Sequence, residues 1–135
     1  MTTETSKGRK IGYWVATGLI AAGTAFGGVY DLAAPPEVVQ GLEHLGYPAH
    51  LATLLGIAKV LAVVTILAPG FARLKEWAYA GITIDLVGAA WSHALAGDPV
   101  GQWLPFIGLF VVLTFTSYFL RPSNRRLPDL PSTAR

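Results

Sequence analysis

Four long apolar runs, separated by short polar segments, dominate the pattern of hydrophobic and polar positions along the chain. They cover about residues 11–34, 51–68, 77–96 and 101–120. Each run is long enough to cross the roughly 30 Å hydrocarbon layer of a membrane as a helix that rises about 1.5 Å per residue. The pattern therefore predicts an all-α protein, an antiparallel bundle of four transmembrane helices.

The connections between the runs carry turn signals and one further helix. Between the first and second runs, apolar side chains recur at helical spacing after Pro36, and Gly46 ends the pattern. This pattern predicts a short amphipathic helix that lies on the membrane surface. The connections on either side of the third run are short and contain proline and glycine, so the spans that they join are expected to be antiparallel neighbours.

The two ends of the chain are polar. Residues 1–10 form a basic N-terminal segment before the first run, which makes a cleaved signal peptide the rival interpretation. The run is longer than the usual signal-peptide core of about 7 to 15 residues, and three more spans follow, so an uncleaved span is favoured. Residues 121–135 are rich in proline and poor in apolar side chains, which predicts a largely disordered tail.

Composition agrees with a membrane protein. Of the 135 residues, 53% are hydrophobic and 13% are charged, and the mean hydropathy is +0.49. Soluble domains carry about 25% charged residues. The net charge of +2 does not indicate a nucleic-acid partner, because the basic residues lie at the ends of apolar runs rather than together on one face. The chain has no cysteine, which excludes disulfides and cysteine-ligated metals within it.

The distribution of charge predicts the orientation in the membrane. All but one of the ten lysine and arginine residues lie before the first run, between the second and third runs, or after the fourth. The other two connections hold acidic side chains instead. Because basic loops stay on the cytoplasmic side, we expect both termini in the cytoplasm and the protein in the cytoplasmic membrane.

The remaining basic residue, Lys59, lies near the middle of the second run, and Asp85 lies near the middle of the third. A lone charge there costs about 2.5 to 3.5 kcal/mol on insertion scales. Because these two spans are neighbours, we expect Lys59 and Asp85 to pair near the bilayer midplane, as ions or as a neutral pair. The pair is either a fixed structural contact or a proton-active, ligand-contacting site. Glu76 is expected to pair with a nearby or C-terminal basic residue instead.

Small and polar residues share these helix faces. In the first run Thr24 and Asp31 are seven residues apart, and in the third run Asp85 shares its side with Gly81 and Ser92. Small residues let helices approach closely in a membrane. The pattern predicts a compact bundle with a polar seam.

Four titratable residues are expected at a similar depth near the outer surface: His93, His50, His44 and Asp31. Two histidines from different helices at one level would suit haem or a metal, but no metal-ligand motif is present. A polar mouth to a quinone-type or small-molecule pocket, or no shared site at all, are the alternatives. We predict no metal site and favour quinone over haem. The candidate ligand-binding residues are His93, His50, Asp31, Ser92 and Thr24.

Two stretches resemble the DoxX-like family of small four-helix membrane proteins: "LGYPAHLATLLGIAKVLAVVTILAP" at 45–69 and "LKEWAYAGITIDLVGAAWSHALAGD" at 74–98. They contain Lys59, Asp85 and the Ser92–His93 pair. The resemblance implies a four-helix bundle in the cytoplasmic membrane. It also implies a link to redox complexes, because the wider DoxX superfamily is similar to the membrane subunit of thiosulfate:quinone oxidoreductases.

Three classes of function follow. The favoured one is a quinone-facing or accessory subunit of a membrane redox complex, with other subunits as partners. The second is a carrier or proton-conducting protein for a small solute, in which Lys59 and Asp85 gate passage. The third is a structural assembly partner.

Overall fold

The structure of the protein, a computed structural model, describes residues 6–130. Within that range it contains helices and no strand, which confirms the prediction of an all-α chain. The elements are α1 Lys7–Ala33, α2 Pro36–His44, α3 Leu51–Leu67, α4 Ala72–Ala96, α5 Val100–Leu120 and a 3₁₀ turn at Ser123–Arg125. The short helix α2 lies between the first two long helices, as the sequence predicts.

Local sequence explains where these helices begin and end. At the start of α1 the Ser6 hydroxyl accepts a hydrogen bond of 3.2 Å from the backbone N–H of Arg9. This contact satisfies one of the N–H groups that a first helical turn leaves free. The helix α1 is followed by Ala34, whose φ of 45° is left-handed and which directly precedes Pro35. The helix α4 is followed by Gly97, whose φ of 76° is easily adopted by glycine.

The four long helices pack in a cyclic order. The helix α1 lies against α3 and α5, and α4 lies against the same two helices. The backbones of α1 and α3 approach each other closely, and a Cβ atom on Gly56 would lie 2.8 Å from the carbonyl oxygen of Gly28. Only glycine allows the two backbones to come so near each other.

The outside of this arrangement is apolar. Phe26, Ile84 and Leu95 each expose more than 70% of their surface. The buried core is small by comparison, with Ile20, Ile66 and parts of α4 at its centre. Exposed apolar surface of this extent in a chain of this size is expected where lipid covers it.

Length and composition support membrane crossing most directly for two helices. The helices α1 and α5 are long and apolar enough to span a bilayer. The helix α3 is apolar but has 17 residues, and α4 has 25 residues that include several charged side chains. The sequence predicts four spans. Of the four long helices, α1 and α5 are candidate spans by their length and hydropathy alone.

Two boundaries differ from the sequence prediction. The helix α4 begins at Ala72, before the apolar run at 77, because its first turns are helical but polar. Residues 121–125 follow α5 as a packed turn rather than as disordered tail: the Arg125 side chain donates a hydrogen bond of 2.9 Å to the carbonyl oxygen of Ile66. Residues 131–135 of the expected tail lie outside the described residues.

Candidate functional site

Lys59 lies between two carboxylates that come from two other helices. Its Nζ donates a hydrogen bond of 2.8 Å to Oδ2 of Asp31 on α1. The same Nζ is 3.7 Å from Oδ2 of Asp85 on α4. We call Asp31, Lys59 and Asp85 the charge cluster; it joins α1, α3 and α4.

The position of Asp31 corrects the expectation from sequence. Asp31 does not join the histidines, because the last turns of α1 pack along α3. A Cβ atom on Gly28 would lie 3.0 Å from Cβ of Lys59, so the two residues are level. The lysine side chain then reaches about one helical turn along α1, which is the distance from Gly28 to Asp31. A long, flexible side chain thus selects a partner that helical spacing alone does not reveal.

A cavity of about 640 Å³ adjoins the charge cluster and touches all four long helices. Lys59 and Asp85 line it, as does the predicted candidate Thr24. Most of its wall is apolar, with aromatic rings from Trp77, Phe106 and Phe110. We call it the central cavity. Its combination of apolar walls and a few polar groups is typical of small-molecule sites.

The central cavity opens sideways between α3 and α4. Leu61 and Trp77 line it, yet each also exposes 60% or more of its surface. Gly81 faces the same space, and a Cβ atom there would meet no heavy atom within 4 Å. The small residues of this part of α4 therefore leave room beside the helix, whereas sequence reasoning assigned them to close helix packing.

His44 and His93 meet at a carboxylate that sequence reasoning did not select. Nε2 of His44 is 2.7 Å from Oδ1 of Asp98, and Nδ1 of His93 is 2.6 Å from Oδ2. These hydrogen bonds hold the pKa of the Asp98 carboxyl below its usual value. The indole N–H of Trp103 donates a bond of 3.2 Å to the Asp98 carbonyl oxygen, and its ring stacks on His93. We call His44, His93 and Asp98 the histidine cluster; it ties α2 to the end of α4.

The other predicted members of this site lie apart from the histidine cluster. The Ser92 hydroxyl is 2.7 Å from the Tyr47 hydroxyl and donates to the carbonyl oxygen of Gly88. His50 is an exposed residue before α3, and its side chain makes no capping hydrogen bond there. His93, His50 and Asp31 therefore do not meet at one site, because each belongs to a different set of contacts. Within residues 6–130, no three side chains of metal-binding type are grouped to hold an ion.

The signal for Asp98 was present in the sequence. Asp98 follows His93 by five residues, directly after the glycine that ends α4. The left-handed turn at Gly97 brings the aspartate back over the last helical turn, where the backbone N–H of Asp98 donates to the carbonyl oxygen of His93. A histidine in the last turn of a helix, with Gly-Asp directly after that helix, thus indicates a contact between the histidine and the aspartate.

Comparison with known proteins agrees with this architecture. The model of the DoxX-like family matches residues 15–116 of the 135-residue chain. The chain belongs to the DoxX-like family. The match confirms the resemblance in the two quoted stretches, and with the apolar helices it identifies an all-α membrane protein. No curated protein and no solved structure matches the chain.

In this DoxX-like protein a third polar region lies at the opposite end of the long helices from α2. Arg121 is almost fully buried, and its Nη2 lies 2.7 Å from Oε1 of Glu76. The Tyr118 hydroxyl donates a bond of 2.7 Å to the other Glu76 oxygen, and the guanidinium lies 4.0 Å from the centre of the Tyr118 ring. The expected pairing of Glu76 with a C-terminal arginine is therefore present.

Lys75, in the first turn of α4, is buried at the same end. Its ammonium donates hydrogen bonds to the carbonyl oxygens of Thr65, Ala68 and Gly70, which close the C-terminal end of α3. Burial, and the positive charges of Arg125 and Arg121, hold the pKa of Lys75 below its usual value. The contacts give Lys75 a structural role at this helix end.

Proposed function

We propose that the protein crosses the cytoplasmic membrane four times, with both termini in the cytoplasm, and binds a quinone in the central cavity as a subunit of a membrane redox complex. The observation that carries the proposal is the central cavity, whose apolar walls meet Lys59 and Asp85 and whose side opens between α3 and α4. A ligand dissolved in the bilayer can enter such an opening without passing through water.

The residues of the cavity fit a quinone. Lys59 supplies an N–H donor for a quinone carbonyl oxygen, and Thr24 supplies a hydroxyl group nearby on α1. The rings of Trp77, Phe106 and Phe110 offer apolar surface to the ring and tail of the ligand. A quinone, when bound, supplies the capacity to accept two electrons and two protons. The chain's own part is to bind and orient the head group and to exclude water from it.

Four spans are supported by the surfaces of α3 and α4. The helix α3 packs between α1 and α4, and α4 packs between α3 and α5. Both helices carry exposed apolar side chains, among them Leu54, Leu61, Ile84 and Trp91. Both acidic side chains of α4 face partners inside the protein: Asp85 lies beside Lys59, and Glu76 beside Arg121. A helix whose charges are paired inward can face lipid with the rest of its surface.

Quinone binding is tested by filling the cavity without altering its charges. Gly81→Leu places a side chain in the central cavity, while Gly88→Leu places the same side chain outside its lining on the same helix. We expect the purified wild type and Gly88→Leu to bind a short-chain ubiquinone analogue equally in calorimetric titrations. Gly81→Leu should weaken binding by about tenfold or more, since even 1.4 kcal/mol of lost contact corresponds to tenfold.

Two results would contradict the proposal. If the wild type binds no quinone, or if both leucine variants bind as it does, the central cavity is not a quinone site. The redox complex is tested separately by native electrophoresis of solubilised membranes, in which the chain should migrate with quinone reductase activity. Proton or solute flux into proteoliposomes that Lys59→Ala abolishes would favour a carrier instead.

A further inference from the structure

We propose that the central cavity also takes lipophilic organic cations, held through their positive charge at Asp85. The inference rests on the part of the proposed function that makes this cavity a ligand site, and it does not need the natural ligand to be a quinone. Three observations carry it: the charge of the cluster, the chemistry of the walls and the direction from which the cavity is reached.

Beside the cavity one lysine lies near two aspartates. Lys59 and Asp85 are the charged side chains among the described residues that line it. Behind them Asp31, which is outside the lining, takes the shorter contact with the ammonium, 2.8 Å against 3.7 Å for Asp85. The single ammonium of Lys59 is thus shared between two carboxylates at unequal distances. Asp85 is therefore the less compensated charge, and its side chain is 33% exposed against 15% for Asp31.

The walls select the kind of cation. A small inorganic ion needs several oxygen ligands, and the lining of the central cavity is mostly apolar. An organic cation brings its own apolar groups, which can lie against Trp77, Phe106 and Phe110 while its charge lies near Asp85. Aromatic faces are also favourable surroundings for such cations. The cavity volume of about 640 Å³ is within the usual range for small-molecule sites.

The route of entry points to the same class. The cavity opens between α3 and α4, where Leu61, Trp77 and Ile84 line it and are also largely exposed on the apolar outer surface. Cations with large apolar substituents partition into membranes and can reach this opening from the bilayer. Strongly hydrated cations remain in water and cannot. The site thus combines a carboxylate with access from lipid.

The test uses two ions of nearly the same size and shape but opposite charge, tetraphenylphosphonium and tetraphenylborate. Their binding to the purified full chain in a mild non-ionic detergent is measured by equilibrium dialysis against protein-free micelles. We expect the wild type to bind tetraphenylphosphonium more tightly than tetraphenylborate. Asp85→Asn should weaken binding of the cation about tenfold, because one partly exposed unit charge is lost. Binding of the anion should be unchanged or tighter in this variant.

The matched control is Glu43→Gln, which removes one carboxylate from the exposed side of α2 and should leave cation binding unchanged. Equal binding of the two ions to the wild type, or cation binding unaffected by Asp85→Asn, would overturn the inference. If Asp85→Asn fails to fold, Gly81→Leu and Gly88→Leu decide: the first should lose the cation and the second should keep it, and equal binding by both would overturn the inference.

A parallel titration with the ubiquinone analogue separates this inference from the proposed function. Cation binding without quinone binding would remove the quinone and leave the inference standing. Quinone binding with no preference for the cation would remove the inference and leave the proposed quinone site standing.

Discussion

At the scale of the residue, Lys59 links three helices through its contacts with Asp31 and Asp85. Its ammonium has two carboxylate partners at unequal distances, and the nearer one, Asp31, is the more buried. The Coulomb attraction between a pair increases as the distance and the exposure to water decrease. Asp31 and Asp85 should therefore differ in what they contribute: Asp31 to stability, and Asp85 to the character of the cavity.

We predict that Lys59 is more strongly coupled to Asp31 than to Asp85. Two double-mutant cycles test this, one with Lys59→Met and Asp31→Asn and one with Lys59→Met and Asp85→Asn. The coupling in the free energy of unfolding should be larger for the Asp31 pair by about 1 kcal/mol. Unfolding in mild detergent, by heat or by added SDS, provides the measurement. Equal couplings, or a larger one for Asp85, would contradict the assignment of Asp31 as the main partner.

At the scale of the element, the polar end of α3 shows how a helix can stop inside a largely apolar protein. The last carbonyl groups of a helix have no partner within it. At the end of α3 the buried ammonium of Lys75 on α4 donates a hydrogen bond to the carbonyl oxygen of Ala68. The Arg125 side chain after α5 donates to the carbonyl oxygens of Ile66 and Leu67. A positive charge at the C-terminal end is also favourable to the helix dipole.

We predict that Lys75→Met destabilises the protein by about 2 kcal/mol, because the carbonyl oxygens at the end of α3 lose a buried donor. The control is Arg73→Met, which removes a basic side chain from an exposed position two residues earlier on α4. Exposed substitutions of this kind usually change stability by less than about 0.5 kcal/mol. The measurement is again unfolding in mild detergent. Equal losses in both variants would show that Lys75 acts through charge alone.

At the scale of the whole molecule, the paired polar groups lie between the helices and the outer surface is largely apolar. The charge cluster, the Glu76–Arg121 pair and the bond between the hydroxyl groups of Thr17 and Ser117 all lie between helices. Large apolar side chains point outward instead, and many of them are more than half exposed. An apolar outer surface of this extent suits a protein whose surroundings are lipid.

We predict opposite accessibility for the two ends of the bundle. The chain has no cysteine, so single cysteines can report position without background. Gln40→Cys on α2 and Ser123→Cys after α5 are both at exposed positions. In intact cells a membrane-impermeant thiol reagent should label Gln40→Cys, and it should label Ser123→Cys only after permeabilisation. Labelling of both from the same side would contradict the four-span topology.

The sequence by itself determined the elements and the family. The apolar runs specify four long helices because length and hydropathy are local properties, and Pro36 and the glycines at 46 and 97 specify where the chain turns. The two quoted stretches also specify membership of the DoxX-like family, which the family model confirms. Lys59 stood out because it interrupts an apolar run.

Only the tertiary structure decided which groups meet. Asp31 became the partner of Lys59, and Asp98 became the partner of His44 and His93. Helical spacing gives the height and angle of a residue on its own helix, but it does not give the offset between helices or the reach of a long side chain. The central cavity has the same origin, since it is the space left between four helices where Gly81 and its neighbours do not fill it.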